Sequence, residues 1–309
     1  MHPYYFSRHW STTAIFSYLQ MPRRSRLDLL DLPNETLFTI FGYLSNDSLV
    51  ALVRVCRRLH SIGERLLYAN IVISESVDGD PESIVVPYKT EGCCSAVRYR
   101  PHLAASIKKL VIRWNRDRAR KHYNFRLAPG ILQSLHHLLH VASGIEVLEL
   151  HLAGFHGSFF DLLAGVSFRL RSLGLSGPLN DPIEWFLATQ PGIVHLHLGD
   201  HHNPLNLAPR DLPILDTFRG DTQCASSILP GRPVRGLALS GHEPSERLLI
   251  AFGYTRCPIR YLDLSALSIT ATQLLTISKH LTALEILRMR LALRHTLHFT
   301  FSGMVSLVP

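Results

Sequence analysis

A short apolar motif recurs along most of this chain and constrains its fold more than any other feature. Seven copies consist of an apolar residue, two variable residues, a leucine, one variable residue and a final apolar residue, and an eighth copy, LDTFRG at 215–220, is weaker. After a first gap of 38 residues, successive copies lie 19 to 25 residues apart. Self-similarity at such a period predicts a repeat architecture. The fourth positions are Leu110, Leu148, Leu173, Leu196, Phe218, Leu237, Leu262 and Leu287.

The segments between the motifs often change to a helical period. This is clearest in ILQSLHHLLHVAS (131–143), DPIEWFLATQ (181–190) and TATQLLTISKHL (270–281). A strand followed by a helix at a fixed period predicts a parallel sheet with helices on one side. The fourth-position residues would then form one continuous core.

The segment before these copies, LPNETLFTIFGYLSNDSLVALVRVCRRLH at 32–60, has a different pattern. Apolar residues follow Pro33 at helical spacing, and Ser45, Asn46 and Asp47 offer capping oxygens for a second helix. A third short helix is expected around residues 64–69. So few residues cannot enclose this many large apolar side chains, so a surplus apolar face is expected, and such a face predicts protein binding.

Three spaced elements of that segment, LPxE, IFxYL and VCRRLH, resemble the F-box motif over about residues 29 to 70. The resemblance implies a three-helix hook that docks on a Skp-type adaptor, which itself binds a cullin–RING ubiquitin ligase. Which hook residues point inward is left open, and a plain helical hairpin capping the next domain is the alternative. The adaptor-binding residues that the resemblance implies are Leu32, Pro33, Ile40, Leu44, Leu49 and Val55.

The repeated array resembles the irregular leucine-rich repeats that often follow an F-box in fungal-type proteins. One departure concerns the position five residues after the fourth-position leucine, often Asn or Cys in that family, which is Asn only at Asn115. A regular asparagine ladder is therefore not expected. The predicted fold class is α/β: an N-terminal three-helix F-box hook followed by a leucine-rich-repeat solenoid of parallel strands with helices outside. The predicted domains are a disordered leader (1–27), the F-box (28–73), a linker or helical cap (74–106) and the repeats (107–309), with a missing C-terminal portion as one reading of the apolar tail.

The residues that flank each buried leucine should share the opposite face of the sheet because side chains alternate along a strand. That face is the predicted binding surface for a protein substrate, and a merely solvated sheet face is the alternative. His195 and His197 share a strand face with His151 two strands away, but no acidic or cysteine partner at ligand spacing accompanies them. Chance pairs such as His201–His202 are expected in a chain with 18 histidines. We therefore predict no metal and no cofactor. The predicted substrate-binding residues are Glu149, His151, His195, His197, Tyr261, Asp263 and Arg288.

The positive charge of the chain is concentrated in one window. Residues 98–126 hold ten Lys/Arg against one acid, although the whole chain has a net charge of +8. The window suits an acidic protein partner or a solvated loop, and single-stranded nucleic acid held by Arg116, Arg118, Arg120 and Lys121 is a third interpretation. Residues 1–27 have no acid and four arginines, a composition permissive for a mitochondrial transit peptide. A disordered leader, or a true start at Met21, is the alternative that we adopt.

The function predicted from these features is a non-catalytic, substrate-recognition subunit of a Skp–cullin–F-box ubiquitin ligase. The sequence contains no GxSxG, phosphate-loop or HExxH motif. Five cysteines without a disulfide pattern favour a reducing, cytoplasmic or nuclear compartment, and no apolar run is long enough for a membrane span. The alternatives are a leucine-rich-repeat scaffold outside any ligase and an RNA-associated protein.

Overall fold

A computed structural model describes residues 29–77, 84–115, 126–153, 158–177, 183–199 and 201–290. The chain divides into two compact units, Met1–Leu66 and Leu67–Pro309, called here the first unit and the second unit. Three segments discussed above lie outside the described residues: the predicted leader, residues 116–125 of the basic window and the tail after residue 290. Within the described ranges, no helix has both the length and the hydropathy that crossing a membrane requires.

The first unit is helical, and the predicted run of three helices is confirmed. A 3-10 turn at Leu29–Asp31 precedes α1 (Asn34–Phe41), α2 (Asn46–Leu52) and α3 (Arg57–Ala69), whose last residues belong to the second unit. Pro33 immediately precedes α1, where its missing N–H costs no hydrogen bond. Ser45 caps α2 by accepting a hydrogen bond from the backbone N–H of Ser48. These local signals set where the helices begin.

Packing in the first unit depends on a small apolar core and one close approach between helices. A Cβ added to Gly63 of α3 would lie 2.7 Å from the side chain of Val53, so only glycine lets α3 come this near. His60 extends the same contact by pairing its Nδ1 with the Val53 carbonyl at 3.0 Å. The buried apolar residues of this unit are Leu37, Phe41, Leu49, Leu59 and Ile62.

The second unit is built on a nine-stranded parallel sheet, as the repeated motif predicts. Its strand order is β1-β3-β5-β6-β7-β8-β9-β10-β11, and a separate two-stranded sheet pairs β2 with β4. The sheet begins before the first recurring motif, in the segment that sequence analysis divided between the F-box and a linker. The strands are β1 (Asn70–Ser76), β2 (Ile84–Val85), β3 (Lys109–Asn115), β4 (Arg126–Leu127), β5 (Val147–Leu152), β6 (Ser172–Ser176), β7 (His195–Leu198), β8 (Thr217–Asp221), β9 (Gly236–Ser240), β10 (Tyr261–Asp263) and β11 (Ile286–Arg288).

Helices follow most of these strands and pack on the core side of the sheet. Helices at 131–141 and 271–280 confirm two of the predicted helical segments, and the third is shorter than predicted, at Glu184–Ala188. The helices of this unit are α4 (Tyr88–Tyr99), α5 (Pro101–Ala104), α6 (Ile131–Val141), α7 (Phe159–Leu163), α8 (Glu184–Ala188), α9 (Thr222–Ile228), α10 (Glu246–Phe252) and α11 (Ala271–His280).

The register of the sheet places all eight fourth-position residues in one row. Leu110 pairs with Leu148, and the row continues through every later motif to Leu287, while Ile71 of β1 extends it at the other end. From Leu110 to Leu262 these side chains are almost completely buried. At the last described strand Leu287 is exposed, because no further strand of the described chain covers it. The repeating motif is therefore the core of the second unit.

A ladder of backbone hydrogen bonds connects the starts of neighbouring strands. The carbonyl of Lys108 accepts hydrogen bonds from two successive N–H groups, those of Glu146 and Val147. The Glu146 carbonyl accepts in the same way from Arg171 and Ser172, and the pattern continues to Glu285. Each strand entry is thus tied to the next by main-chain hydrogen bonds. Side-chain ion pairs join some of the same positions, such as Lys108 with Glu146 and Arg260 with Glu285.

Candidate protein-binding surfaces

Arg58 positions the chain that leads into α1 of the first unit. Its guanidinium donates to the carbonyl of Leu30, to the carbonyl of Leu32 at 2.5 Å and to Oδ1 of Asn34 at 2.9 Å. A planar group with several donors can hold three acceptors in one arrangement. The segment that contains Leu32 and Pro33 is therefore fixed to α3 by one side chain.

Large apolar side chains stay exposed on the first unit. Of the residues predicted to bind an adaptor, Pro33, Ile40, Leu44 and Val55 are exposed, and Val55 is exposed by 69%. Leu32 is half-buried. Five further large apolar side chains of this unit are exposed although they were not among the predicted adaptor-binding residues: Leu29, Leu30, Phe38, Tyr43 and Val50.

Leu49 differs from the other five predicted adaptor-binding residues. Its side chain is only 4% exposed and belongs to the apolar core of the first unit. Burial favours a supporting role for Leu49 over direct contact with a partner. The sequence could not separate Leu49 from Ile40, because both have the apolar character that either role needs.

The second unit has a groove of about 560 Å³ on the face of the sheet that is opposite the buried leucine row. The structure brings five of the seven predicted substrate-binding residues together in its lining. They come from β5, β7 and β10, which the parallel register places side by side with β6, β8 and β9. These five residues are Glu149, His151, His195, His197 and Tyr261.

One end of the groove carries a connected set of charged and polar side chains. Arg113 donates to Glu149 at 2.8 Å, and Nε2 of His151 lies 3.6 Å from the same carboxylate oxygen. Burial alone would raise the pKa of Glu149, but the hydrogen bond and charge of Arg113 outweigh it, so the pKa is lowered. Burial and the Arg113 charge together lower the pKa of His151 against the opposing effect of Glu149. The Glu149 carboxylate is thus already partnered.

The middle of the groove contains a basic side chain, Arg219, and several small residues. Arg219 is exposed and has neither an ion pair nor a hydrogen bond among the described residues. The small residues Gly174, Gly236 and Ala238 also line the groove, and Glu149 and Thr217 cover the two glycines. The Arg219 guanidinium therefore adds an exposed positive charge to the groove.

Two groove residues, Thr217 and Arg219, were not among the predicted binding residues. Both flank Phe218, the fourth position of the weakest copy of the motif. The rule that selected Glu149 and His197 selects them as well when it is applied to this copy. Thr217 also contacts a predicted residue, because its Oγ1 lies 2.7 Å from Nδ1 of His195.

The remaining predicted residues, Asp263 and Arg288, lie on the last two described strands and outside the groove lining. Nη1 of Arg288 is 3.6 Å from the Asp263 carboxylate, which also accepts hydrogen bonds from Tyr261 and Ser265. Burial would raise the pKa of Asp263, but the hydrogen bonds from Ser265 and Tyr261 and the Arg288 charge lower it. This pair forms a local polar cluster that adjoins the groove through Tyr261.

Comparison with known proteins identifies the N-terminal part of the chain. Residues 29–74 match the protein-family model described as F-box-like. The match covers the exposed apolar side chains of the first unit and the segment held by Arg58. No curated protein shows significant similarity to this chain.

Proposed function

We propose that this protein is a substrate-recruiting subunit of a Skp–cullin–F-box ubiquitin ligase. The F-box-like residues 29–74 bind a Skp-type adaptor, and the second unit binds a protein substrate. The chain itself has no turnover. It raises the effective concentration of a substrate lysine near the activated ubiquitin that other subunits carry.

The apolar face of the first unit is the observation that carries this proposal. Ile40, Leu44 and Val55 are exposed, whereas Leu37 and Phe41, on the same helix as Ile40, are buried. Burying such side chains against a partner contributes about 25 cal/mol for each Å² of apolar surface removed from water. Several large apolar side chains left exposed on so small a unit support a site of protein association.

The second unit is proposed to be an irregular leucine-rich-repeat solenoid. Its single row of buried leucines and its repeated strand-to-helix order support this assignment. Parallel strands in register build a long surface on which a protein segment can lie. The groove around Arg219 favours a substrate segment that carries an acidic residue.

Capture by a tagged Skp-type adaptor tests the first half of the proposal. The wild-type chain is expected to co-purify with the adaptor, and Ile40→Ser/Leu44→Ser is expected to lose capture while its circular dichroism and melting temperature stay near the wild-type values. Leu32→Ala/Pro33→Ala should also weaken capture, because it alters the segment that Arg58 holds.

A matched control uses exposed apolar residues outside the F-box-like segment. Ile250→Ser/Leu275→Ser removes two side chains of comparable exposure from the second unit and should leave capture unchanged. Absence of capture by folded wild-type protein would contradict the ligase assignment and leave the scaffold interpretation. Capture that survives both variants of the first unit would show that the apolar face is not the docking site.

A further inference from the structure

Three side chains from separate parts of the second unit meet beside the end of β8. Nδ1 of His202 lies 3.0 Å from Oδ2 of Asp221, and Nδ1 of His242 lies 3.4 Å from the same oxygen. One nitrogen from each histidine and one oxygen from Asp221 all lie within 4.8 Å of one another. The three residues follow or end β7, β8 and β9, which are adjacent in the sheet. The parallel topology therefore brings together residues far apart in sequence.

The first turn of α9 contacts the side chain of Asp221, the neighbours of His202 and the carbonyl of His242. Asp221 is the N-cap of this helix, and its Oδ1 accepts the N–H of Gln223 at 2.7 Å, which leaves Oδ2 for the histidines. Cys224 donates to the carbonyls of His201 and Asn203, the two neighbours of His202. Thr222 donates to the carbonyl of His242 at 3.2 Å. The cluster is thus held from one helix.

Gly241 leaves room for the Asp221 carboxylate because it has no side chain. Its φ of +83° lies in the left-handed region, and an added Cβ would lie 1.8 Å from Oδ2 of Asp221. No side chain larger than hydrogen fits at this position unless the cluster moves. The turn before His242 is therefore shaped around the carboxylate oxygen that both histidines approach.

The spacing of these atoms fits a tetrahedral metal ion. Zinc bonds to imidazole nitrogen and carboxylate oxygen are about 2.0 to 2.2 Å long, so neighbouring ligand atoms are about 3.3 Å apart. The two nitrogen–oxygen distances bracket that value. Two imidazoles and one carboxylate suit zinc and related transition metals, whereas calcium and magnesium prefer oxygen ligands.

The burial of the three side chains leaves a fourth position open. The Asp221 side chain is 2% exposed, whereas those of His202 and His242 are 57% and 67% exposed. A buried carboxylate needs a nearby positive charge or several hydrogen bonds, and a metal ion supplies the charge. Cys224 is not part of this cluster, because its thiol donates to the carbonyls of His201 and Asn203.

We propose that His202, Asp221 and His242 bind a divalent transition metal, with zinc as the natural probe. Each neutral histidine would coordinate through Nδ1 with its proton on Nε2. The fourth ligand would be water or a side chain of a bound protein. The competing explanation is a metal-free clamp in which both imidazoles donate a hydrogen bond to Asp221.

Titration of the metal-free, 309-residue chain with zinc chloride in a calorimeter tests the proposal. We expect one zinc per chain and a raised melting temperature, since a ligand that binds only the folded state stabilises it. His202→Ala, His242→Ala and Asp221→Asn should each weaken binding by about tenfold or more. Asp221→Asn keeps a side-chain oxygen for the helix cap, so it separates loss of the ligand from loss of the cap.

His140→Ala is the matched control. His140 stacks on His136 with ring centroids 6.1 Å apart, so it belongs to another imidazole pair of the same unit. This variant should bind zinc like the wild type. The proposal is overturned by wild-type protein that shows neither binding heat nor a thermal shift at millimolar zinc. It is also overturned if either single histidine variant binds as tightly as the wild type.

Discussion

The two units use large apolar side chains in opposite ways. Eight of the exposed large apolar residues lie between Leu29 and Leu66, whereas the far longer described part of the second unit has twelve. In the second unit, the motif leucines from Leu110 to Leu262 are covered on all sides by neighbouring strands and helices. The described residues of the first unit form three helices and a 3-10 turn, and these elements leave many of its apolar side chains exposed.

This contrast teaches that apolar residues become core only where the fold supplies a second layer. A repeat array gives each strand two neighbours, so its leucine row is buried everywhere except at an uncovered end. A module of about forty residues buries a much smaller share of its surface. Its surplus apolar side chains are then available for a partner.

The largest expected effect is on the leucine row. Leu173→Ala removes a buried side chain in the middle of the sheet and should lower the free energy of unfolding by about 2 to 5 kcal/mol. Leu287→Ala, at the exposed end of the same row, should cost less than about 1 kcal/mol. Chemical denaturation followed by circular dichroism measures both. Equal losses at the two positions would contradict the contrast between a covered row and its uncovered end.

A smaller loss in the free energy of unfolding is expected at Gly241 of the second unit, whose backbone lies close to the side chain of Asp221. Gly241→Ala forces a Cβ against Asp221 and a left-handed φ on alanine, so it should cost about 1 to 3 kcal/mol. Gly130→Ala is the control, since Gly130 has a similar φ of +88° but open space around its Cβ position. The difference between the two variants in thermal or chemical denaturation isolates the contact with Asp221. An equal cost for both would mean that backbone strain alone matters.

In the first unit, we expect Arg58→Gln to lower the free energy of unfolding by about 1 kcal/mol. The change removes the bonds to the carbonyls of Leu30 and Leu32, whose solvent exposure limits their value. Limited proteolysis should show faster cleavage near residues 29–34 with the helices still intact. Arg57→Gln, at the exposed neighbouring position, is the control. Unchanged proteolysis of Arg58→Gln would show that this segment is held by other contacts.

The smallest expected effect is on the pH dependence of the free energy of unfolding, through the titratable side chains of the groove. The pKa of His151 in the folded protein lies below its ordinary value of 6.5, so His151 is protonated at a higher pH in the unfolded chain than in the folded one. The free energy of unfolding therefore falls as the pH drops below 6.5. Glu149, whose pKa is also lowered, adds a further loss below 4.5. His151→Gln should flatten the dependence of unfolding free energy on pH between about pH 5 and 7. An identical slope in the variant would contradict a contribution from His151.

Much of the fold could be predicted because it depends on local periods. The spacing around Leu173 and its equivalents indicated parallel strands in register, and the cap at Ser45 indicated where α2 begins. Side-chain alternation also placed five of the seven predicted binding residues in the groove. Thr217 and Arg219 were missed only because the copy around Phe218 is weak. The strand at Asn70–Ser76 was not predicted, because its residues do not continue the period of the later motifs.

The sequence by itself determined that strands repeat, which residues form their buried row and that an F-box-like segment precedes them. Only the tertiary structure decided which apolar residues of that segment are covered, because Leu49 and Ile40 differ in their neighbours and not in their chemistry. The tertiary structure also brings His202, Asp221 and His242 together. Sequence analysis predicted no metal ligands and had no means to find this cluster. Their contact depends on the pairing of β7, β8 and β9, and pairing across a sheet joins residues without any fixed spacing along the chain.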